Sequence, residues 1–417
     1  MSPVARQVIV VGGGVIGAAC AYYLSRSGWN VTIVERTEFG KGCSHANCGL
    51  VCPSQVLPLA EPGAAWKAFK ALWGKNSPFY IKPRFDPTLW GWLLRFARRC
   101  NRSDMLEAGG AIQKILESSM SLYRELIAGE ALDCEWETRG LLFVFRTPAA
   151  FEEYGRTNRL MEESFGLPAK RFDGNEVNEL EPALKPGLAG GWYYEHDAHL
   201  RPDKLLASLR RVLELRGVAI REQCEVQGFV RDGGRANGIL TNGGAMTGSA
   251  FVVAAGALTP LLGNHLGCKI PIQPGKGYSI TMPRPAQCPA IPLIFPEHRV
   301  AVTPMQSGYR LGSTMEFAGY DTTIHRPRLD LLKEGAGHYL REPYCEPMQE
   351  EWYGWRPMTY DGKPIIGRSP AMENVLVAAG HNMLGLSMAP ATGKLIAELL
   401  NGERPHIDPA PYAVNRF

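Results

Sequence analysis

The sequence predicts an α/β protein with an α+β insertion, because three observations along its 417 residues agree. A short apolar run near the N terminus leads into a glycine-rich turn and then into a helical apolar pattern. Two later segments contain further buried strands that end in glycine and lie next to helical patterns. Between them the pattern changes to helices and alternating strands. The sequence therefore predicts a Rossmann-type nucleotide-binding domain interleaved with an antiparallel-sheet domain.

The first unit spans residues 7–35 and has the order strand, turn, helix, strand. Gly12, Gly14 and Gly17 form a G-x-G-x-x-G turn after the first strand. Such glycines permit a tight turn, close approach to a pyrophosphate and close helix packing. Glu35 closes the second strand, where a carboxylate can accept a hydrogen bond from a ribose hydroxyl. This unit predicts a dinucleotide site and leaves the choice between NAD and FAD open.

The later segments extend this domain. Residues 40–50 are small and polar, which suits contact with a larger cofactor. The strands at residues 251–256 and 375–380 offer further backbone edges, with helices predicted at residues 202–216 and 387–400. The predicted nucleotide-binding domain comprises residues 1–60, 196–275 and 352–417, and the predicted substrate domain comprises residues 61–195 and 276–351.

Composition excludes several classes of protein. The chain is 45% hydrophobic and 21% charged, unlike a disordered, collagen-like or coiled-coil protein. Its net charge of +4 is near neutral for this length, so we expect no nucleic-acid partner. Cys43, Cys48 and Cys52 lie close together without a fourth ligand, so we expect reduced thiols, no metal and a cytoplasmic location. Residues 7–25 are too glycine-rich and slightly short for a membrane span, and we identify no targeting segment.

Six sequence blocks, spread over nearly the whole chain, point to one family. They are V-V-G-G-G-V-I-G, V-T-I-V-E, S-H-A-N-C-G, P-G-K-G-Y-S-I-T, G-W-R-P-M-T-Y-D-G-K-P-I-I-G-R and A-A-G-H-N-M-L-G-L-S-M-A-P-A-T-G. With these blocks the chain resembles the bacterial FAD-dependent D-amino acid dehydrogenases of the glycine/D-amino-acid oxidase superfamily. The last two blocks are the most selective, because a generic FAD enzyme need not contain them.

The resemblance implies FAD as the cofactor. It implies that Gly12, Gly14 and Gly17 hold the pyrophosphate and that Glu35 holds the adenosine ribose. The other residues expected along FAD are Val15, Ile16, Arg36, Ser44, Asn47, Gly49, Leu50, Val226, Ala255, Gly256, Gly380, His381, Asn382, Met383 and Leu384. Val226 is expected to meet the adenine through its backbone. Residues 380–384 are expected to border the flavin, where the N terminus of the last helix supplies partial positive charge.

The same resemblance implies three residues near the substrate. Arg356, in G-W-R-P, matches the arginine that binds the substrate carboxylate with two parallel hydrogen bonds. Tyr278 is a pocket candidate, with simple packing as its alternative. His381 is a candidate near the flavin, with an ordinary hydrogen-bonded histidine as its alternative. His45 lies one residue out of register with histidines that carry covalent flavin in related demethylating dehydrogenases.

The implied activity is oxidative deamination of D-amino acids to 2-oxo acids or cyclic imines, by hydride transfer from Cα to flavin N5. The electrons are expected to pass to a quinone-type acceptor. Three alternatives stay open at this point: a dehydrogenase of a cyclic D-imino acid such as D-proline or cis-4-hydroxy-D-proline, a glycine or sarcosine oxidase, and a flavin subunit of a larger electron-transfer complex.

Residues 62–102 form a basic, aromatic segment. Asp86 is its one acid among nine Lys or Arg, so its net charge is +8. A helical projection of residues 89–102 separates two faces. The basic face has Arg95, Arg98, Arg99 and Arg102, and the opposite face has Leu89, Trp90, Trp92, Leu93, Phe96 and Ala97. This pattern suits a helix on an anionic membrane, which would place the protein peripherally at the inner membrane face. The alternative, which the pattern slightly favours, is a helix that packs its apolar face on its own domain. Residues 65–75 have a similar composition.

Overall fold

The computed structural model describes residues 6–64, 66, 79–82 and 84–417. The α-helices in this part of the chain are α1 (Val15–Arg26), α2 (Pro87–Arg99), α3 (Arg102–Gly129), α4 (Pro148–Phe165), α5 (Gly174–Leu180), α6 (Pro202–Leu215), α7 (Gly263–Leu266), α8 (Arg326–Gly337) and α9 (Gly385–Asn401). The first ten strands are β1 (Gln7–Val11), β2 (Asn30–Val34), β3 (Leu50–Val51), β4 (Phe79–Ile81), β5 (Leu141–Phe145), β6 (Lys170–Asp173), β7 (Gly190–Tyr194), β8 (Ala198–His199), β9 (Ala219–Arg221) and β10 (Val226–Asp232). The others are β11 (Arg235–Thr241), β12 (Gly244–Thr247), β13 (Ala250–Val253), β14 (Ile272–Met282), β15 (Leu293–Phe295), β16 (Val300–Met305), β17 (Gly308–Phe317), β18 (Glu350–Thr359), β19 (Ile365–Arg368) and β20 (Val375–Ala379).

The first sheet has the order β19-β20-β13-β1-β2-β9. All of its pairs are parallel except β19 with β20. Its central strands are buried apolar runs, as expected for a parallel sheet covered on both faces. The three strands from residues 226 to 247 do not join it. They form a separate antiparallel sheet, β10-β11-β12, because a hairpin connection brings them together.

One face of this sheet is covered by α1, α9 and α3. A Cβ at Gly393 would lie 2.5 Å from the backbone carbonyl of Ala19, so α1 and α9 pack at close range. From α3, Ile112, Ile115 and Leu116 are buried in the same cluster. A helix from residues 61–195 thus contributes to the core of the nucleotide-binding part.

The second sheet faces the first across the molecule. Its order is β18-β14-β17-β16-β15-β5-β7-β6, with β4 paired to β17. It is antiparallel except for the pairs of β15 with β5 and of β17 with β4. The boundaries predicted after residues 275 and 351 fall inside β14 and β18. The division into two domains at residue level stays a prediction.

The helical stretch predicted at residues 89–102 is divided between two helices. Asp86 caps α2 by accepting from the Leu89 N–H at 3.0 Å, and the helix ends at Arg99, so Arg102 belongs to α3. Leu89 and Trp92 are buried, whereas the side chains of Trp90 and Leu94 are exposed. The inner face of α2 therefore packs on its own protein. Residues 65 and 67–75 lie outside the described residues, and no described helix is long and apolar enough to cross a membrane.

Candidate active site

A cavity of about 2000 Å³ lies between the two large sheets. Its wall includes the carboxyl ends of β1, β2 and β13, where ligands of open α/β sheets bind. The opposite wall is formed by β14, β17 and β18. Ligand pockets commonly hold about 300–1,000 Å³. This cavity is large enough for a dinucleotide together with a small substrate.

The predicted glycine turn lies at one end of the cavity. Gly12 has φ of +110°, and a Cβ there would lie 2.4 Å from the carbonyl oxygen of Ala254. A Cβ at Gly17 would lie 1.8 Å from the carbonyl oxygen of Gly12. Helix α1 begins at Val15, whose N–H donates to the hydroxyl of Ser44 at 3.0 Å, and Gly14 offers no side chain to cap the other N–H groups of the first turn. Its N terminus therefore offers backbone N–H groups and partial positive charge to an anion such as a pyrophosphate.

Glu35 is held in place by this turn. Its carboxylate accepts from the Gly13 N–H at 2.8 Å, and from the N–H and hydroxyl of Thr37 at 2.9 and 3.1 Å. A carboxylate has about four acceptor positions. Glu35 thus keeps capacity for a ligand hydroxyl, and it lines the cavity as the ribose assignment requires.

The loop after β2 is fixed by a buried arginine that the sequence reasoning missed. Asn47 accepts from the Gly49 N–H at 2.8 Å and donates to the carbonyl of Ser44 at 3.0 Å. Arg310, on β17, donates to the carbonyl of Asn47 at 2.8 Å and to the hydroxyl of Thr281 at 2.9 Å. The available signal was a single arginine between the apolar residues Tyr309 and Leu311.

Most residues predicted along the cofactor line the cavity. These are Gly12, Gly14, Val15, Ile16, Glu35, Arg36, Ser44, Asn47, Leu50, Val226, Ala255, Gly256, His381, Asn382, Met383 and Leu384. Gly17, Gly49 and Gly380 are not part of the cavity wall. Gly49 has φ of +68°, and a Cβ there would lie 2.0 Å from the carbonyl oxygen of Leu200. These three glycines shape the backbone behind the wall. Direct contact with the cofactor stays a prediction, both for these glycines and for the residues that line the cavity.

Arg356 presents a positive charge to the cavity. Its guanidinium donates to the carbonyl of Thr314 at 2.7 Å and lies over Gly277, where a Cβ would be 2.4 Å from the guanidinium carbon. Burial lowers the pKa of Arg356. The nearby thiols of Cys48 and Cys43 raise this pKa, but by less than burial lowers it. Among the described residues no carboxylate pairs with Arg356. A partly buried guanidinium of this kind favours an anionic ligand, and a bound carboxylate would supply the negative charge.

Of the two alternatives for Tyr278, the structure favours packing. Gly277 lies under Arg356, and side chains alternate between the two faces of a strand, so Tyr278 points to the other face of β14. Its ring packs in the core under α8 and lies 5.3 Å from the Lys276 ammonium nitrogen. Tyr278 borders the cavity from the face opposite to Arg356, and a contact with the substrate stays a prediction.

The two histidines near the site are both engaged. Burial lowers the pKa of His381 to about 3, so its ring is neutral at pH 7. His381 Nε2 lies 3.0 Å from the hydroxyl of Thr392, which donates to the carbonyl of Met388 at 2.9 Å, so Nε2 carries the proton. His381 lines the cavity as a neutral, hydrogen-bonded residue. His45 Nε2 lies 2.7 Å from the Glu350 carboxylate.

A buried carboxyl group lies beside the cavity wall. Asp197 accepts from the hydroxyl of Ser54 at 2.5 Å and from its N–H at 3.1 Å. Burial raises the pKa of Asp197 to about 7, although the hydrogen bonds from Ser54 oppose the shift. Ser54 and Cys52 line the cavity, so Asp197 supports this part of the wall from behind. The sequence reasoning did not select it, because it lies in a polar turn without a motif.

Fold and cavity together define a nucleotide-binding enzyme of the Rossmann type. The family model described as "FAD dependent oxidoreductase" matches residues 7–399. The chain is 34% identical to a D-amino acid dehydrogenase of Methylobacterium nodulans, over 96% of each chain, and 32% identical to one of Paramagnetospirillum magneticum, over 99% of each. It resembles the crystal structure of glycine oxidase from Geobacillus kaustophilus with a TM-score of 0.79, 23% identity and 99% coverage of both chains.

The chain therefore belongs to the family of FAD dependent oxidoreductases. The predicted fold class, an α/β nucleotide-binding domain interleaved with an antiparallel-sheet domain, is confirmed by these relatives and by the two large sheets.

Proposed function

We propose that this protein is a D-amino acid dehydrogenase that uses FAD to oxidise its substrate at Cα to a 2-oxo acid. The observation that carries the proposal is Arg356, a partly buried guanidinium that faces the cavity without a carboxylate partner among the described residues. Its position across the cavity from the glycine turn supports the binding of an α-carboxylate beside a dinucleotide. The relatives named D-amino acid dehydrogenase support the choice of substrate class.

The residues of this chain would act mainly by binding and orientation. Bound FAD supplies the acceptor for the electron pair of the Cα–H bond. The α1 N terminus and Gly12 would hold the pyrophosphate, and Glu35 would hold the ribose. Arg356 would fix the substrate carboxylate with two parallel hydrogen bonds, and orientation of this kind contributes much of the rate of such a step. Water would then hydrolyse the imine product to the 2-oxo acid and ammonia.

The electrons are proposed to leave to a quinone-type acceptor, with the protein in the cytoplasm and in peripheral contact with the inner membrane face. The outer side of α2 supports this contact, because exposed Trp90 and Leu94 lie beside exposed Arg95, Arg98 and Arg99. The test is flotation with anionic vesicles, for the wild type and for a variant with Arg95, Arg98 and Arg99 changed to Glu. Loss of flotation in the variant is expected, whereas equal flotation would exclude this helix.

The substrate class is tested by a dye-reduction screen with D-, L- and N-methyl amino acids, repeated with oxygen as the acceptor. We expect reduction of the dye with D-amino acids by the purified protein alone, and slow turnover with oxygen. Activity confined to glycine, sarcosine or a cyclic imino acid would contradict the proposal. A requirement for a partner protein would contradict it as well.

A further inference from the structure

An apolar lobe of the cavity begins directly beside Arg356. Met358 lies two residues further along β18, so its side chain is on the same face of the sheet as that of Arg356. Gly275 is the register partner of Arg356. A Cβ at Gly275 would lie 2.8 Å from Cγ of Met358 and 3.5 Å from Sδ of Met315. Both methionines therefore reach the face on which Arg356 would hold a carboxylate.

Aromatic side chains complete this lobe. Trp92, from the inner face of α2, packs in one cluster with Ile81, Met315, Phe317 and Met358, and all five residues line the cavity. The indole N–H of Trp92 donates to the carbonyl of Pro271 at 3.0 Å, so its only polar atom is already bonded. Its ring centroid lies 5.6 Å from that of Phe317. The lobe thus offers apolar and thioether surface next to the guanidinium of Arg356.

We propose that this lobe, formed by Ile81, Trp92, Met315, Phe317 and Met358, holds the substrate side chain and selects D-amino acids with long apolar or aromatic side chains. The inference rests on the proposed function, because it assumes that Arg356 binds the carboxylate. Two residues along a strand span about 6.6 Å. With a van der Waals contact of about 3.5–4.0 Å added to its own length, a leucine, methionine or phenylalanine side chain closes that distance, whereas the methyl group of alanine does not.

The chemistry of the lobe sets the expected selectivity. One additional methylene in an apolar pocket changes kcat/KM by about 10-fold or more. Methionine side chains adapt their shape, so the lobe should accept branched, linear and aromatic groups alike. Charged side chains should be rejected, because none of the five residues offers a polar partner for a desolvated charge.

The test uses the FAD-loaded protein and two readouts. The first is kcat/KM for D-alanine, D-leucine, D-methionine, D-phenylalanine and D-glutamate, where we expect the three apolar substrates to exceed D-alanine by about 10-fold or more. The second is calorimetric binding of benzoate and acetate, where benzoate should bind at least about 10-fold more tightly. Preference for D-alanine, or equal binding of both acids, would overturn the inference.

Variants of Met315 locate the effect in the lobe, since Met358 is too close to Arg356 to be changed without disturbing it. Met315→Phe should lower the ratio of kcat/KM for D-methionine over D-alanine, and Met315→Ala should shift the preference toward D-phenylalanine. Met120→Ala, a buried methionine of α3 that is not part of the cavity wall, should leave both ratios unchanged. Ratios that are the same in both Met315 variants as in the wild type would refute the assignment.

If no D-amino acid reduces the flavin, the proposed function fails. The benzoate and acetate affinities of the Met315 variants would still test the lobe in that case.

Discussion

The contact between Gly277 and Arg356 predicts how sensitive substrate binding is to a single methyl group. In a Gly277→Ala variant, the new Cβ would lie 2.4 Å from the guanidinium carbon and 2.4 and 2.5 Å from its two terminal nitrogens. Carbon atoms in contact are normally about 3.5–4.0 Å apart. The guanidinium must therefore move by about 1 Å or more, away from the strand on which it rests.

A shift of this size is enough to lose most of the orientation. A misplacement of about 1 Å at a positioning group can lower a rate about 10²-fold. The fold should survive, because the displaced atoms are the end of a flexible side chain that faces a cavity. We expect kcat/KM for a D-amino acid to fall by about 10²-fold, with a similar loss of affinity for benzoate.

The assay combines steady-state kinetics and benzoate titration with measurements of FAD content and of the thermal midpoint Tm. Gly308→Ala is the matched control, since Gly308 lies in the same sheet and its new Cβ would also approach an arginine, at 3.1 Å from a terminal nitrogen of Arg201. Neither Gly308 nor Arg201 is part of the cavity wall. The control should retain its kinetics. Wild-type kcat/KM and benzoate affinity in Gly277→Ala, at full FAD content, would refute the reasoning.

Two further predictions concern the cofactor turn and the buried carboxyl. Gly12→Ala should yield folded protein with little FAD. Alanine is strained at a φ of +110°, and its Cβ would lie 2.4 Å from the carbonyl oxygen of Ala254, so the turn must change shape. Full FAD content in this variant would contradict the prediction. The pKa of Asp197 is about 7 in the folded protein, against an ordinary value of 3.8, so the folded state binds this proton more tightly than the unfolded state does. The stability of the protein should therefore fall as the pH rises from about 4 to about 7. The free energy of unfolding should fall by up to about 4 kcal/mol over this range, and Asp197→Asn should remove this pH dependence. Urea unfolding across this pH range measures the effect, and parallel profiles for the wild type and the variant would exclude it.

The nucleotide-binding part could be predicted because its signals are local. The apolar run of β1, the glycine turn and Glu35 lie within one short stretch, and each has its own physical signature. The position of α3 could not be predicted in the same way. Its apolar face would pack equally well on any apolar surface, and only the tertiary structure brings it onto α1 and α9.

The substrate side of the cavity depends on register between strands that are distant in the sequence. The G-W-R-P motif identified Arg356 as a candidate for binding the substrate. The contact of its guanidinium with Gly277, however, follows from the pairing of β14 with β18. Tyr278, next to Gly277, was a pocket candidate with simple packing as its alternative, and alternation along the strand, which turns its side chain to the other face, favours packing. Arg310 and Met315 carry no motif and become visible only when β17 is placed beside β14.

The central claim is that Arg356 binds the substrate carboxylate, and the most direct measurement is anaerobic reduction of the bound flavin by a D-amino acid in Arg356→Lys. Lysine keeps the charge but loses the two parallel hydrogen bonds, so the substrate concentration for half-maximal reduction should rise by about 10- to 100-fold. FAD content should be unchanged, and Arg368→Lys, at an exposed arginine outside the cavity wall, should behave as the wild type. An unchanged substrate dependence in Arg356→Lys would contradict the account.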